Sequence, residues 1–216
     1  MAAGAIPVRC QRREISRGLS PVSRPVIIVF ARIPRLGVGK RRLAQTVGDR
    51  AALNFSRLTL ARLLRRLRRL RGAELILAAS PDHHARFSAP GFTRIGQGQG
   101  DLGARMQRAF KRFPRRRVVL VGSDIPAIND SDIRTAFQRL RGADAVFGPA
   151  TDGGYWLIGL AGRRPATPFA HVRWSSRHAL TDTLKNFTGY RVAWLRMLQD
   201  VDDARRLAAT PSFFAS

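Results

Sequence analysis

One stretch constrains the fold more than any other: Val118-Val119-Leu120-Val121-Gly122-Ser123-Asp124-Ile125-Pro126. Its opening run is apolar and mostly β-branched, so it reads as a strand buried on both faces, as in a parallel sheet. The run stops at Gly-Ser-Asp, and Pro126 cannot donate to a ladder. Asp124 is therefore expected at the carboxyl end of a central strand, the edge where open α/β sheets bind ligands. A carboxylate there suits a hard cation carrying phosphate oxygens, because Mg2+ takes only one or two protein carboxylates. It equally suits the cap of the helix that follows.

The same pattern recurs along the chain. Val26–Phe30, Glu74–Ala79, Asp144–Phe147, Tyr155–Leu160 and Tyr190–Leu195 read as further strands. Helical periodicity fills the intervals: Asp49–Arg71, Ala104–Phe113, a helix capped by Asn129 or Ser131 that runs to Leu140, and a short one ending at Leu184. Strands alternating with helices predict a three-layer α/β/α sandwich around a mainly parallel sheet. With 216 residues, 44% of them hydrophobic, one core is expected, giving a single domain over 25–216. Residues 1–24 are basic and without period, and are expected to form a disordered leader. No apolar run approaches the roughly 20 residues of a membrane span, and the start shows no signal-peptide pattern. Cys10 is the only cysteine, which excludes an internal disulfide and a cysteine-built metal site. The expected compartment is the cytoplasm.

The formal charge of +25 favours anionic partners such as nucleotides, nucleic acid or a membrane surface. All but three of the 39 basic residues are arginine, the exceptions being Lys40, Lys111 and Lys185. In the helix 49–71, Leu53, Leu60, Leu63, Leu64, Leu67 and Leu70 form an apolar stripe. The other face carries Arg62, Arg65, Arg66, Arg68, Arg69 and Arg71, which reads as a solvated face or as a ridge for nucleic acid. No aromatic residue interleaves with these arginines, which argues against base stacking.

Four loops carry candidate chemistry. After the first strand, Gly37 and Gly39 lie among Arg32, Arg35, Lys40 and Arg41, a combination suited to a polyphosphate. It is not a P-loop, because the glycine spacing differs and Arg41 stands where Ser or Thr would hold Mg2+. Next, Gly96–Gly103 is a glycine-rich loop that opens a helix and offers backbone N–H groups, with Gln97 or Gln99 available to a base edge. In the third, Asp152-Gly153-Gly154-Tyr155-Trp156 joins a carboxylate, backbone access and aromatic surface, a set suited to a sugar or base. Last, Asp200, Asp202 and Asp203 precede a final helix, either as acids favoured by its dipole or as a partner for the cation of Asp124.

In this order, the motifs resemble the GT-A-fold nucleotide-diphospho-sugar transferase superfamily, and most closely a bacterial family of uncharacterised glycosyltransferases, some linked to arsenosugar biosynthesis. The resemblance covers about residues 25–208. It rests on Phe30–Pro34 through Gly37 and Lys40–Leu43, on Gln99–Met106, on Gly122–Pro126, on Gly148–Ala150 with Asp152–Gly159, on Trp174–Ser176 and on Asp200–Asp202. It implies that Arg32, Gly37, Lys40, Arg42, Gln99 and Asp101 bind the nucleotide, and that Asp124 with Asp202 (Asp200 being the alternative) holds Mg2+ or Mn2+. It further implies that Gly153, Gly154, Tyr155 and Trp174 face the sugar or acceptor. Two positions depart from the family pattern: Arg32 stands for the usual Lys, and Arg41 for the usual Thr. Arg is a planar fork and Lys a point charge, so the phosphate contacts change.

The expected activity is a metal-dependent glycosyltransferase moving a sugar from a nucleotide-sugar donor to a small-molecule acceptor, with Asp124 and Asp152 as catalytic carboxylates. The alternative on the same fold is a nucleotidyltransferase, similar to those that guanylylate phospholactate or phosphoenolpyruvate or that act on the molybdenum cofactor. The alternative of another class is an arginine-rich nucleic-acid-binding protein.

Overall fold

The computed structural model describes residues 24–82 and 87–199. Seven strands form one sheet: β1 (Val26–Arg32), β2 (Glu74–Ser80), β3 (Thr93–Gly96), β4 (Val118–Gly122), β5 (Ala145–Pro149), β6 (Tyr155–Leu160) and β7 (Val192–Trp194). Their order is β3-β2-β1-β4-β6-β5-β7. All neighbouring pairs run parallel except those of β6, which is antiparallel to both β4 and β5. The five helices are α1 (Arg41–Val47), α2 (Asp49–Arg68), α3 (Leu102–Lys111), α4 (Asp130–Arg139) and α5 (Ala179–Lys185).

Period-two alternation on the central strands builds the expected three layers. Ile27 and Val29 of β1 and Val119 and Val121 of β4 face a core completed by Leu60, Leu63, Leu64 and Leu67 of α2 and by Ile133 and Ala136 of α4. Val26, Ile28, Val118 and Leu120 face the opposite core, with Met106, Ala109 and Phe110 of α3 and Leu180 and Leu184 of α5. Both faces of β1 and β4 are thus dry, which is why these strands read as continuous apolar runs.

Several details differ from the sequence reading. Residues 40–43 read as loop, but Arg41 starts a seven-residue helix that buries only Leu43. Helix α2 stops at Arg68, not Arg71, and its buried N-terminal half uses Ala52, Phe55 and Thr59 while Leu53 is only half-buried. Strand β3 was not expected. Of the two proposed caps for α4, Asn129 is the one used: it accepts from Asp132 N at 3.0 Å, and the Asp132 carboxylate accepts from Asn129 N at 2.9 Å. The leader of residues 1–23 lies outside the described residues; Arg24 is already seated, its carbonyl accepting from Arg116 Nε at 2.9 Å. Among the described residues, no helix is long and apolar enough to cross a membrane.

Candidate active site

The carboxyl ends of β1, β4 and β2 open onto a cleft, and the start of β6 meets them there because β6 runs the other way. The β4 run ends at Gly122, buried Ser123 follows, and Asp124 emerges exposed. Asp124 does not cap α4, since Asn129 does. Among the described residues its carboxylate has no hydrogen bond and no ion pair.

Asp124 stands at the border of two cavities. The larger, about 640 Å³, is lined by Asp124, Asp152, Gly154, Tyr155, Trp174, Ser175, Ser176, Arg177 and Arg42, above a floor of Leu120, Leu157 and Ile158. The second, about 380 Å³, is lined by Arg32, Lys40, Arg105, Gln97, Ser123 and Asp124. Phe30, Leu102, Gly122 and Asp124 belong to both. One cavity is therefore rich in cations with a single carboxylate, and the other mixes two carboxylates with aromatic surface.

The hairpin between β5 and β6 is shaped by its own side chain. Asp152 Oδ1 accepts from Gly154 N at 2.9 Å, an Asx turn. Oδ2 has no hydrogen bond among the described residues. Gly153 has φ +87°, and a Cβ there would lie 2.2 Å from the carbonyl oxygen of Arg177. Gly153 is thus a close-approach glycine that seats the hairpin tip against residues 175–179, while Leu180 N donates to its carbonyl at 3.0 Å. Tyr155 stands edge-on to Phe147, ring centroids 5.5 Å apart. Burial raises the pKa of its hydroxyl above the ordinary tyrosine range, with the Thr183 side chain opposing in part. Tyr155 therefore stays neutral and serves as part of the cavity wall, not as a proton-transfer group.

The far wall of the larger cavity is held from behind. Asp182, on α5, takes Arg173 in a two-pronged ion pair, Nε–Oδ2 2.7 Å and Nη2–Oδ1 3.0 Å, and takes Lys185 Nζ at 3.0 Å. Arg173, and then Lys185, hold the Asp182 carboxyl well below the usual carboxylate range. This clamp fixes the segment that presents Trp174, whose indole packs on Gly103 and, with centroids 6.3 Å apart, on Phe169. Ser175 lies in the left-handed region at φ 57°, an uncommon conformation for a residue with a Cβ. Ser175, Ser176, Arg177 and Arg105 were given no role by the sequence reading, although Trp174-Ser175-Ser176 and Gln99–Met106 were among the motifs that carried the resemblance.

The remaining expected residues are placed less directly. Arg32 and Lys40 line the cationic cavity, Arg42 lines the larger one, and Gly37 lines neither but borders a small recess next to α2, although its neighbours Val38 and Gly39 line the cationic cavity. Gln99 is exposed and lines neither cavity. Asp101 caps α3, accepting from Ala104 N at 2.8 Å. Gln97 is buried, and its side-chain amide is spent on the carbonyls of Ala31 (3.1 Å) and Ala78 (2.9 Å). Asp200 and Asp202 lie outside the described residues. Among the described residues, no group of three His, Cys, Asp or Glu side chains converges as a metal cage.

A family model described as "uncharacterized protein conserved in bacteria (DUF2064)" matches residues 63–176, just over half of the chain. The chain belongs to this family. The DUF2064 match takes in α3, β4, the hairpin tip and Trp174, hence most of the larger cavity. Among solved structures, a protein from Desulfovibrio desulfuricans G20, provisionally named a nucleotide-diphospho-sugar transferase, is 32% identical with a TM-score of 0.75, over 84% of this chain and 83% of that one. The 2-C-methyl-D-erythritol 4-phosphate cytidylyltransferase of Thermus thermophilus is 14% identical with a TM-score of 0.52, over 89% and 100% of the two chains. A CMP:2-keto-3-deoxy-manno-octonic acid synthetase solved with CTP is 12% identical with a TM-score of 0.54, over 89% and 99%. These last two share the fold and no more. No curated protein matches the chain. This DUF2064 member thus has the fold of the nucleotide-diphospho-sugar transferases, as its motifs implied.

Proposed function

We propose that the protein is a transferase that takes a nucleotide-diphospho-sugar, holds its diphosphate with the help of a divalent cation, and passes the sugar to a small acceptor. The observation that carries this reading is the uncommitted Asp124 carboxylate at the border of a cationic cavity and a cavity with Asp152, Tyr155 and Trp174. Arg32, Lys40 and Arg105 suit the phosphate oxygens. The Tyr155 and Trp174 rings suit the apolar face of a sugar.

The donor set fits Mg2+ or Mn2+. A hard cation that keeps its waters and phosphate oxygens needs only one or two carboxylates, and neither oxygen of the exposed Asp124 is taken by a described residue. Asp202 is the proposed second ligand, with Asp200 as its alternative. When bound, the cation offsets charge that develops on the leaving diphosphate. The fixed cations Arg32, Lys40 and Arg105 add to that stabilisation without having to reorganise. Asp152, oriented through Oδ1 by Gly154, takes the acceptor proton on Oδ2.

Arg42 and Arg177 favour a second reading. Two guanidinium groups in the acceptor cavity suit an acceptor that is itself a phosphate. Such an acceptor attacks the α-phosphorus of a nucleoside triphosphate and releases pyrophosphate, which makes the enzyme a nucleotidyltransferase.

Calorimetry tests both readings. UDP, GDP, CDP, dTDP, GTP, CTP and UDP- and GDP-sugars are titrated with and without Mn2+, into wild type and Asp124→Asn. Metal-dependent binding of a nucleotide-sugar that Asp124→Asn loses supports the sugar transferase. A preference for a triphosphate, followed by pyrophosphate release, moves the conclusion to the nucleotidyltransferase. No binding to any of them with metal present rejects both.

A further inference from the structure

A third cavity, about 870 Å³, lies between α2 and the start of α4. It shares Ile125 with the larger cavity of the cleft but contains neither Asp124 nor Asp152. One wall is a stripe of four arginines, Arg62, Arg65, Arg66 and Arg69. Spaced i, i+3, i+4 and i+7, they share one helix face over about 10 Å. The opposite wall is the turn from Ile125 to Ser131, where the N–H groups of Asp130 and Ser131 have no partner inside α4. Arg66 donates to the Ile128 carbonyl, which fixes the two walls relative to each other.

Two residues that line this groove each carry a buried polar atom with no hydrogen bond among the described residues. Thr59 is 3% exposed, lines the groove, and its Oγ1 has no partner. Asp130 Oδ1 is also buried without a partner. Unsatisfied buried groups are rare because each forfeits its hydration, and a donor and an acceptor orphaned in one groove call for a ligand or solvent that supplies both. Among the described residues Asp130 is the only carboxylate in the wall, against four arginines.

We propose that this groove binds a hydroxyl-bearing phosphate ester with at least two phosphates. The arginine stripe and the helix start take the phosphate oxygens. Asp130 Oδ1 and Thr59 Oγ1 are closed to solvent; a turn of each side chain toward the ligand lets the first accept from a ligand hydroxyl and the second donate to a phosphate oxygen. A free sugar bisphosphate and the ribose-phosphate backbone of an RNA strand both present this chemistry. The site is independent of the proposed transferase reaction.

The test uses the full chain with two probes: fructose 1,6-bisphosphate followed by calorimetry, and a fluorescein-labelled dodecamer RNA followed by anisotropy, with the DNA of the same sequence beside it. Because a chain of charge +25 attracts any polyanion, the control removes the same two charges elsewhere, from exposed Arg139 and Arg141. Arg65→Gln/Arg69→Gln is expected to weaken at least one probe about tenfold and to lower its salt slope by about two, against less than about threefold for Arg139→Gln/Arg141→Gln. Thr59→Val is expected to raise the melting temperature, since it removes an unsatisfied hydroxyl, and yet to weaken binding about threefold. Binding of the bisphosphate alone identifies a free ligand, and RNA bound more tightly than DNA identifies a strand read through its 2′-hydroxyls. Absence of binding by both probes, equal losses in the two double variants, or affinity unmoved by Thr59→Val overturns the proposal. Asp124→Asn leaves this binding intact, so failure here is separable from failure of the cleft reading.

Discussion

Five of the described aspartates form two contrasting groups in a chain that has only 14 acids against 39 bases. Asp132, Asp144 and Asp182 are buried, and each is gripped by arginine: Arg196 on Asp132 at 2.7 Å, Arg163 on Asp144 at 2.7 Å, and Arg173 on Asp182 at 2.7 Å. Asp124 and Asp152 are exposed in the cleft and have no arginine partner among the described residues. Arginine is abundant everywhere, so lack of a guanidinium cannot be the reason. The difference is geometric. The buried carboxylates tie one segment to another, Asp132 at the cap of α4 to Arg196 across 64 residues and Asp182 of α5 to Arg173 across nine, whereas the cleft carboxylates are exposed. One group holds the walls, and the other is left for a ligand.

Substitutions on the two sides of this contrast should separate function from stability. Asp152→Asn is expected to lower turnover by about a thousandfold while nucleotide affinity stays near wild type, because a general base acts on the step and not on donor binding; a loss of affinity of the same size would make Asp152 a binding residue instead. Asp124→Asn is expected to reduce metal-dependent nucleotide affinity about a hundredfold in calorimetry, with the melting temperature within a degree or so of wild type. In the other group, Asp132→Ala removes half of a capping box and leaves Arg196 without its carboxylate. Because the Arg196 side chain is 49% exposed, the expected cost is only about 2 kcal/mol, or roughly 4–8 °C in melting temperature. The smallest effect concerns pH. The folded-state pKa of Asp182 lies below its unfolded value, so the clamp contributes its full stability above about pH 4, and that contribution is lost progressively as pH falls below that toward the folded-state pKa. Urea midpoints across this range should fall more steeply with acid for wild type than for Asp182→Asn; equal slopes would place the acid sensitivity elsewhere.

Much of this was legible in the sequence where the signal is local. The β4 run and its Gly-Ser-Asp stop placed Asp124 at the sheet edge, because burial on both faces writes an unbroken apolar run. The paired glycines before Tyr155 marked the hairpin tip. Helix α1 was not legible, since it buries only Leu43 and begins with arginines that resemble a basic loop. Strand β3 is four residues at the sheet margin with no fully buried member, which leaves no pattern to read. Gln97 looked available to a base, but its two carbonyl partners lie 66 and 19 residues away in the chain. Ser175 and Arg177 reach the cavity through the Asp182 clamp and the Gly153 contact, both of which exist only after folding.

The reversed direction of β6 separates the cleft into an inherited half and an exchangeable half. The cationic cavity is set largely by strands and helices whose ladders lock one another in register, so little there can change without disturbing the core. The tip at 150–154 is a terminal bend whose length no neighbouring crossover dictates. A lineage of such proteins, or a designer, can therefore retune what the cleft accepts by grafting new tips onto an unchanged cationic half. The graft has one inviolable requirement: the position now held by Gly153 must stay bare of side chain, or the tip will be levered off the wall it completes.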